Sequence, residues 1–305
     1  MITNRWIETR KKYWDRMTVL LDRADISTGS AACIVPAGED RHIFALPWYG
    51  RTLVGTTDND FDGDIDHPHP GAADVEYLLD AVNAFFGTAV GEADLVGAYA
   101  GVRPLISTGD PKKSVDISRK AELYETSSGM LTITGGKLTT WRRMAKQTVD
   151  RLVEREGREA PCHTAEIPLG MEARPEDLEA PQGVGEEALA QLAFRYGHAA
   201  RNVLRLVAED PKLAEPIVPG QPDLLAEAVI AARLEQARCV ADVLLRRTRL
   251  GLLAAPQLRD ADAARPVAAV LGEELGWSRR RVKREAEAWP AALAEAGADP
   301  AGARV

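Results

Sequence analysis

An α+β fold is predicted for this chain, with a sheet-containing domain first and an all-helical domain after it. Two observations carry the prediction. The runs AACIVPA, HIFALPW and RTLVGTT between Ala31 and Thr57 are short, β-branched and aromatic, and Pro36, Gly38, Pro47 and Gly50 break them as turns break consecutive strands. Beyond Gly157 the composition shifts to Ala, Glu, Leu and Arg, and the apolar residues recur with helical rather than alternating spacing.

Taken in order, residues 1–24 are charged and aromatic without a clean period, and no element is predicted there. The three runs after Ala31 then read as a meander in one sheet. Val75, Leu78, Leu79, Val82, Phe85 and Phe86 recur at three- and four-residue spacing, which predicts a helix over 74–86 with Asp74 as cap and Gly87 as stop. Leu95–Leu105 reads as a strand, and Pro111–Ser114 as a polar loop. LYETSSGMLTITGG reads as two strands joined at Ser127, Ser128 and Gly129, and a helix follows through Trp141, Met144, Ala145, Thr148, Val149 and Leu152. Pro161, Pro168, Pro175 and Pro181 mark a linker. Helices are predicted over 186–196, 199–209, 224–253, 261–275 and 278–296. The domain limits are therefore 25–157 for the α+β part, 158–180 for the linker and 181–305 for the helical part.

The 305 residues carry a net charge of −8, which argues against a nucleic-acid partner, because such binding is driven by cationic side chains neutralising phosphates. Cys33, Cys162 and Cys239 lie far apart and form neither a disulfide framework nor a zinc ribbon, so a reducing cytoplasm fits best. No run approaches the roughly 20 apolar residues of a membrane span, and MITNRWIETRKKYWDRM lacks a signal-peptide core.

A strand, then Gly135-Gly136-Lys137-Leu138-Thr139-Thr140, then a helix is an arrangement suited to an anion or a polarised oxygen. Glycines let backbone amides approach a ligand, and the helix start adds about half a positive charge. The alternative is that the glycine pair only makes a tight turn. Arg103, pinned by Pro104, and Arg119 suit phosphate, since a guanidinium donates two parallel hydrogen bonds and keeps its charge. With Lys137 they would make a site for a small phosphorylated substrate. The acidic run 57–63 has the spacing of the first half of a calcium loop, but the bidentate position falls on His69, so it reads as a solvated turn. His67 and His69 likewise read as loop surface, and no metal site is expected. Arg246, Arg247, Arg249, Arg279, Arg280, Arg281, Lys283 and Arg284 could touch anionic lipid or pair with neighbouring Glu.

The runs FALPWYGRTLVGTTDNDFDGD, DVEYLLDAVNAFF, AYAGVRPLIS, DISRKAELYE, LTITGGKLTTWRRMAKQTVD and ADVLLRRTRLGLL, spanning about 25–255, closely resemble the respiratory FAD-dependent glycerol-3-phosphate dehydrogenases. The resemblance implies the D-amino acid oxidase-like flavoprotein class: a mixed-sheet substrate domain interleaved with part of an FAD-binding domain, then a helical carboxy-terminal domain. It also implies oxidation of sn-glycerol 3-phosphate to dihydroxyacetone phosphate, with electrons passing through FAD to the quinone pool; the chain is expected in the cytoplasm, either free or peripheral on the inner face of the cell membrane. On this resemblance Arg103 and Arg119 correspond to substrate-phosphate ligands and Lys137 to a catalytic lysine near substrate and flavin. Gly135, Gly136, Leu138 and Thr139 would line the flavin pyrimidine edge.

Two departures qualify the resemblance. The family's opening strand and G-x-G-x-x-G turn do not occur in this sequence, so roughly 200 residues that would precede Asp25 are expected to be absent or replaced, for instance by a separate amino-terminal FAD-binding half. The family's histidine base is also replaced: MTVLLDR lies about where its strand should run, with Arg16 at the histidine position. An arginine cannot accept the hydroxyl proton. The chain alone is therefore expected to bind FAD weakly or not at all and to turn over poorly. A reading from another class is a non-catalytic module that binds glycerol 3-phosphate through Arg103, Arg119 and Lys137.

Overall fold

A computed structural model describes residues 13–22, 26, 30–38, 41–57, 59–61, 63–66, 68–104 and 121–299. They form two compact units. The first takes in described residues 13–14, 60–61, 103–104 and 121–169, and the second takes in the rest.

The second unit holds the sheet. Strands β1 (Tyr13–Asp22), β2 (Cys33–Pro36), β3 (His42–Trp48), β4 (Arg51–Gly55) and β5 (Asn59–Phe61) order as β2-β3-β4-β1-β5, and β6 (Leu95–Pro104) also pairs with β1. The predicted meander is present as an antiparallel ladder: Ile34 faces Phe44 across β2 and β3, and Leu46 faces Leu53 across β3 and β4. Between β3 and β4 the chain reverses on Tyr49 and Gly50, both at positive φ (48° and 70°).

Periodicity predicts no element in residues 1–24, but strand β1 runs through MTVLLD, about where the resemblance places a strand. It sits beside β4, with Val19 opposite Val54 and Leu20 opposite Leu53. Thr18, Val19, Leu20 and Leu21 are all buried. A strand covered on both faces shows an unbroken apolar run and no alternation, which hides it from a period-based reading. Strand β5 likewise falls where a turn was expected.

Helix α1 (Ala72–Phe86) lays Val75, Leu78, Leu79 and Val82 on the sheet against Val19, Val35, Ile43 and Val54. Gly87 ends it in the left-handed region, as expected. Its cap, however, is Gly71; Asp74 lies in the first turn and accepts from Asn59 Nδ2 at 2.6 Å.

The helical portion consists of α3 (Glu186–Tyr196), α4 (Ala200–Glu209), α5 (Leu225–Arg233), α6 (Leu250–Leu253), α7 (Ala261–Leu275) and α8 (Arg279–Glu295). One long helix over 224–253 was expected. Instead α5 stops at Arg233, a π-helical turn spans Asp242–Arg247, and α6 follows. The breaks fall at Gln236 (φ 58°) and Arg249 (φ 62°), where no glycine or proline announces them. The bundle packs Trp289 at its centre, its indole nitrogen donating to Leu258 O at 2.6 Å. Contact with the sheet is close: Ala98 N donates to Ala298 O at 3.0 Å, and a Cβ built on Gly97 would lie 2.0 Å from Leu252 O.

The first unit pairs β7 (Ala121–Glu125) with β8 (Leu131–Gly135) as an antiparallel hairpin. Its turn is where the sequence places it, with Thr126 N donating to Met130 O at 2.9 Å and Gly129 at φ 80°. Helix α2 (Trp141–Arg155) crosses this hairpin. Arg151 donates to Glu125 at 2.9 Å, and Arg155 donates to Gly129 O at 2.7 Å.

Candidate functional site

The β8–α2 junction is the described part of the predicted site. Gly135 and Gly136 both adopt positive φ (73° and 76°), a region that costs other L residues about 1–2 kcal/mol. Gly136 also lets the helix come close. A Cβ there would stand 2.4 Å from Met144 Sδ, so the second glycine serves helix–hairpin packing as well as backbone direction.

After the glycines, Lys137 is extended and a 3₁₀ turn, Leu138–Thr140, leads into α2. Thr140 closes this turn. Its Oγ1 accepts from Lys137 N at 3.1 Å and donates to Lys137 O at 2.8 Å, while its own amide donates to the same carbonyl at 2.8 Å. The amides of Leu138 and Thr139 are left over: neither donates to another described residue. Leu138 is 89% exposed, and Lys137 and Thr139 are exposed too. The turn thus gathers two unpartnered backbone donors, an exposed lysine and the positive end of a 15-residue helix.

The start of α2 is cationic among the described residues. The first turn of α2 carries no acid, but Arg142 and Arg143 follow Trp141, and Arg142 lies over the Trp141 ring at 5.3 Å and donates to Thr164 O. Chemically, the arrangement can bind a negatively charged or strongly polarised oxygen.

The structure places the other predicted residues less completely. Arg103 is the penultimate residue of β6, with its side chain outside the described residues. Arg119 falls outside them altogether, and Arg16 lies in β1 with its side chain likewise outside. Of the acidic run, Asp58, Asp62 and His67 are also outside, and Asn59 is committed to Asp74. Among the described residues, no three His, Cys, Asp or Glu gather as metal ligands. The cationic run of the helical portion is partly engaged: Arg247 reaches Asp242 O at 3.1 Å, Arg249 packs on Tyr49, and Arg281 lies 4.4 Å from the Trp277 ring centre. No described helix is long and apolar enough to cross a membrane.

Sequence reasoning missed two features. One is the role of Thr140, whose signal was a threonine three residues after an extended residue at a helix start, the spacing of a side-chain cap. The other is a buried ionic cluster of Arg195, Asp223 and Glu227, signalled only by a glutamate at the third position of α5.

Comparison with known proteins now bears on this geometry. Residues 129–282 match the family described as the C-terminal domain of alpha-glycerophosphate oxidase, and residues 17–142 match the family described as FAD dependent oxidoreductase. The chain belongs to the FAD-dependent glycerol-3-phosphate dehydrogenase family. Among its relatives, glycerol-3-phosphate dehydrogenase 2 of Mycobacterium tuberculosis is 36% identical over 251 residues, 80% of this chain and 42% of that protein. Glycerol-3-phosphate dehydrogenase 1 of Mycobacterium bovis is 39% identical over 244 residues, covering 77% and 46%. The Synechocystis enzyme is 31% identical over 279 residues, covering 88% and 50%. The X-ray structure of the glycerol-3-phosphate dehydrogenase from Bacillus halodurans complexed with FAD superposes with a TM-score of 0.72 at 25% identity, covering 94% of this chain and 57% of that one. The chain therefore spans about half the length of the relatives it matches. The family's mixed-sheet oxidoreductase fold and helical carboxy-terminal domain agree with the predicted fold class.

Proposed function

We propose that this chain carries the substrate-phosphate and flavin-edge portion of an enzyme that oxidises sn-glycerol 3-phosphate to dihydroxyacetone phosphate. The observation that carries the reading is the β8–α2 turn, in which the Leu138 and Thr139 amides have no partner among the described residues and lie next to the exposed Lys137. Those donors suit FAD: two amides and a positive helix end would stabilise the negative charge that a reduced isoalloxazine carries at its pyrimidine edge. When bound, FAD supplies the acceptor for the hydride leaving C2.

This chain's own residues then bind and orient. In this reading Lys137 is the catalytic residue, holding the substrate oxygens near the flavin edge, while Arg103 and Arg119 fork onto the phosphate. Gly135 and Gly136 set the backbone direction that brings the amides to the ring. The proton of the C2 hydroxyl needs a base that Arg16 cannot be. Electrons would pass on to the quinone pool, with the protein peripheral on the inner face of the membrane. The amino-terminal part of the family's proteins would supply the pyrophosphate-binding turn, and the exposed apolar residues of the first unit (Met130, Leu138, Trp141 and Val149) suit contact with it.

The test is to titrate FAD into the chain with and without a polypeptide bearing the family's amino-terminal half, and then to add sn-glycerol 3-phosphate anaerobically. Saturable flavin binding and bleaching are expected only with the half present, and Lys137→Met should cut bleaching by at least about a hundredfold. No flavin binding even with the half present would refute the reading. Saturable glycerol 3-phosphate binding without any flavin would favour the non-catalytic module instead. A short-chain quinone as oxidant checks the acceptor.

A further inference from the structure

The helical portion buries an ionic cluster that the flavin reading does not use. Arg195, from the end of α3, reaches two carboxylates at once: its Nη2 stands 2.7 Å from Asp223 Oδ1, and its Nη1 donates to Glu227 Oε1. Asp223 and Glu227 are 1% and 0% exposed. Glu227 also accepts from Leu224 N at 2.9 Å and from the Tyr196 hydroxyl at 3.2 Å.

A second guanidinium stands near but is engaged elsewhere. Arg249 donates to the Tyr49 hydroxyl at 2.7 Å and lies 4.8 Å from the centre of the Tyr49 ring. That ring also meets Phe194 edge-on at 5.9 Å. The tip of the β3–β4 hairpin is thus seated between the residue preceding Arg195 and a cation that attracts Asp223. Tyr49 and Arg249 both hold left-handed backbone, so each end of this contact sits on strained geometry.

With both carboxylates ionised, two buried negative charges share the single guanidinium of Arg195, whose Nε and Nη2 lack hydrogen-bond partners among the described residues, and Asp223 draws on Arg249. With one proton on the pair, Arg195 alone balances the remaining charge and Arg249 is left to Tyr49. We propose that the Asp223–Arg195–Glu227 cluster is a proton-dependent clasp: a proton on the carboxylate pair keeps Arg249 on Tyr49, and its loss loosens the hairpin from the helical portion.

Burial supports this by pushing Glu227 up to about 7, against the pull of Arg195, and it raises Asp223 as well. Among the described residues, Glu235 also acts on the cluster's edge, through Tyr196. Helices α4 and α7, also packed on α5, contribute Val203, Val207, Val267 and Leu271 to the cores they share with it. Their ion pair with α5, Arg233 to Glu274, sits at its opposite end. Because the carboxyl pKa is raised on folding, its stabilising contribution is complete below the ordinary value of 4.5 and is lost as pH rises through about 7.

The clasp is independent of flavin binding. Its test is hydrogen exchange by mass spectrometry on peptides covering Trp48–Arg51 in the full chain at about pH 6 and about pH 8, with exchange times corrected for the intrinsic pH effect. The wild type should open on the order of tenfold more readily at the higher pH, and Glu227→Gln should show the same protection at both. Asp223→Asn serves as the second variant should Glu227→Gln fail to fold. Equal wild-type protection at the two pH values would overturn the proposal, as would a folded Glu227→Gln or Asp223→Asn that keeps the full pH difference.

Discussion

Gly97→Ala tests how tightly the helical portion is fitted to the sheet. Gly97 and Gly101 both lie in β6, the strand that ends at Arg103 and Pro104. At Gly97 an added Cβ would lie 2.0 Å from Leu252 O, 2.8 Å from its carbonyl carbon and 3.0 Å from its Cα. At Gly101 it would meet nothing within 4 Å. The obstacle at Gly97 is backbone at the end of α6, so no side chain can swing aside. Ordinary contact would need a separation greater by more than about 1 Å, in an interior packed to near-crystalline density. Overpacking of this kind typically costs about 1–3 kcal/mol and more when backbone must move. The adjacent hydrogen bond from Ala98 N to Ala298 O would be strained by the same displacement, adding about 1 kcal/mol.

Gly101→Ala, by contrast, removes only the flexibility of glycine in a strand and should be neutral or stabilising by up to about 1 kcal/mol. Urea unfolding followed by tryptophan fluorescence reads both variants, since Trp289 lies buried in the bundle beside Gly251. The expected gap between them is about 3 kcal/mol or more. A gap below about 0.5 kcal/mol would show that the fit at Gly97 is not what holds this part of the second unit together.

At the β8–α2 turn, Gly136→Ala should destabilise more than Gly157→Ala in thermal unfolding: both positions have positive φ (76° and 62°), but only the first meets Met144, and the far end of a methionine can shift, so the excess should stay below about 1 kcal/mol. Arg151→Ala removes exposed pairs with Glu125 and Glu154 and should leave the melting temperature almost unchanged in the same assay; a clear drop would mean the pairs act as a network.

The meander of β2, β3 and β4, the helix α1 and the hairpin of β7 and β8 were legible because their neighbours include turn residues with a fixed backbone meaning: Pro36, Gly50, Gly87 and Gly129. Strand β1 was not, because Thr18 to Leu21 are buried without alternation, so the period that betrays a half-covered strand is missing. The break of the expected 224–253 helix was hidden for a different reason: Gln236 and Arg249 take positive φ through tertiary packing rather than local preference. At the junction, the strand, the glycine pair and the helix start were readable as a strand-to-helix turn with Lys137 at its mouth. That Thr140 fixes the turn, and that Gly136 is backed by a sulfur, needed coordinates because both depend on distances no spacing encodes.

The distribution of charge along α2 differs between its two ends. Acidic partners cluster at its far end: Asp150 pairs with Lys146, while Glu125 and Glu154 take Arg151. The near end has Lys137, Arg142 and Arg143 and no acid in its first turn. Cations at the positive end of a helix work against its dipole by about 0.3–1 kcal/mol each at low salt, and acids there would favour the isolated helix. A turn built only to reverse the chain has no use for that opposition. An anion at the mouth reverses its sign, since the same cations, the dipole and the two amides of Leu138 and Thr139 then act on one charge together. The stability of α2 should accordingly respond more to a bound anionic ligand than to any change in the hairpin's exposed ion pairs.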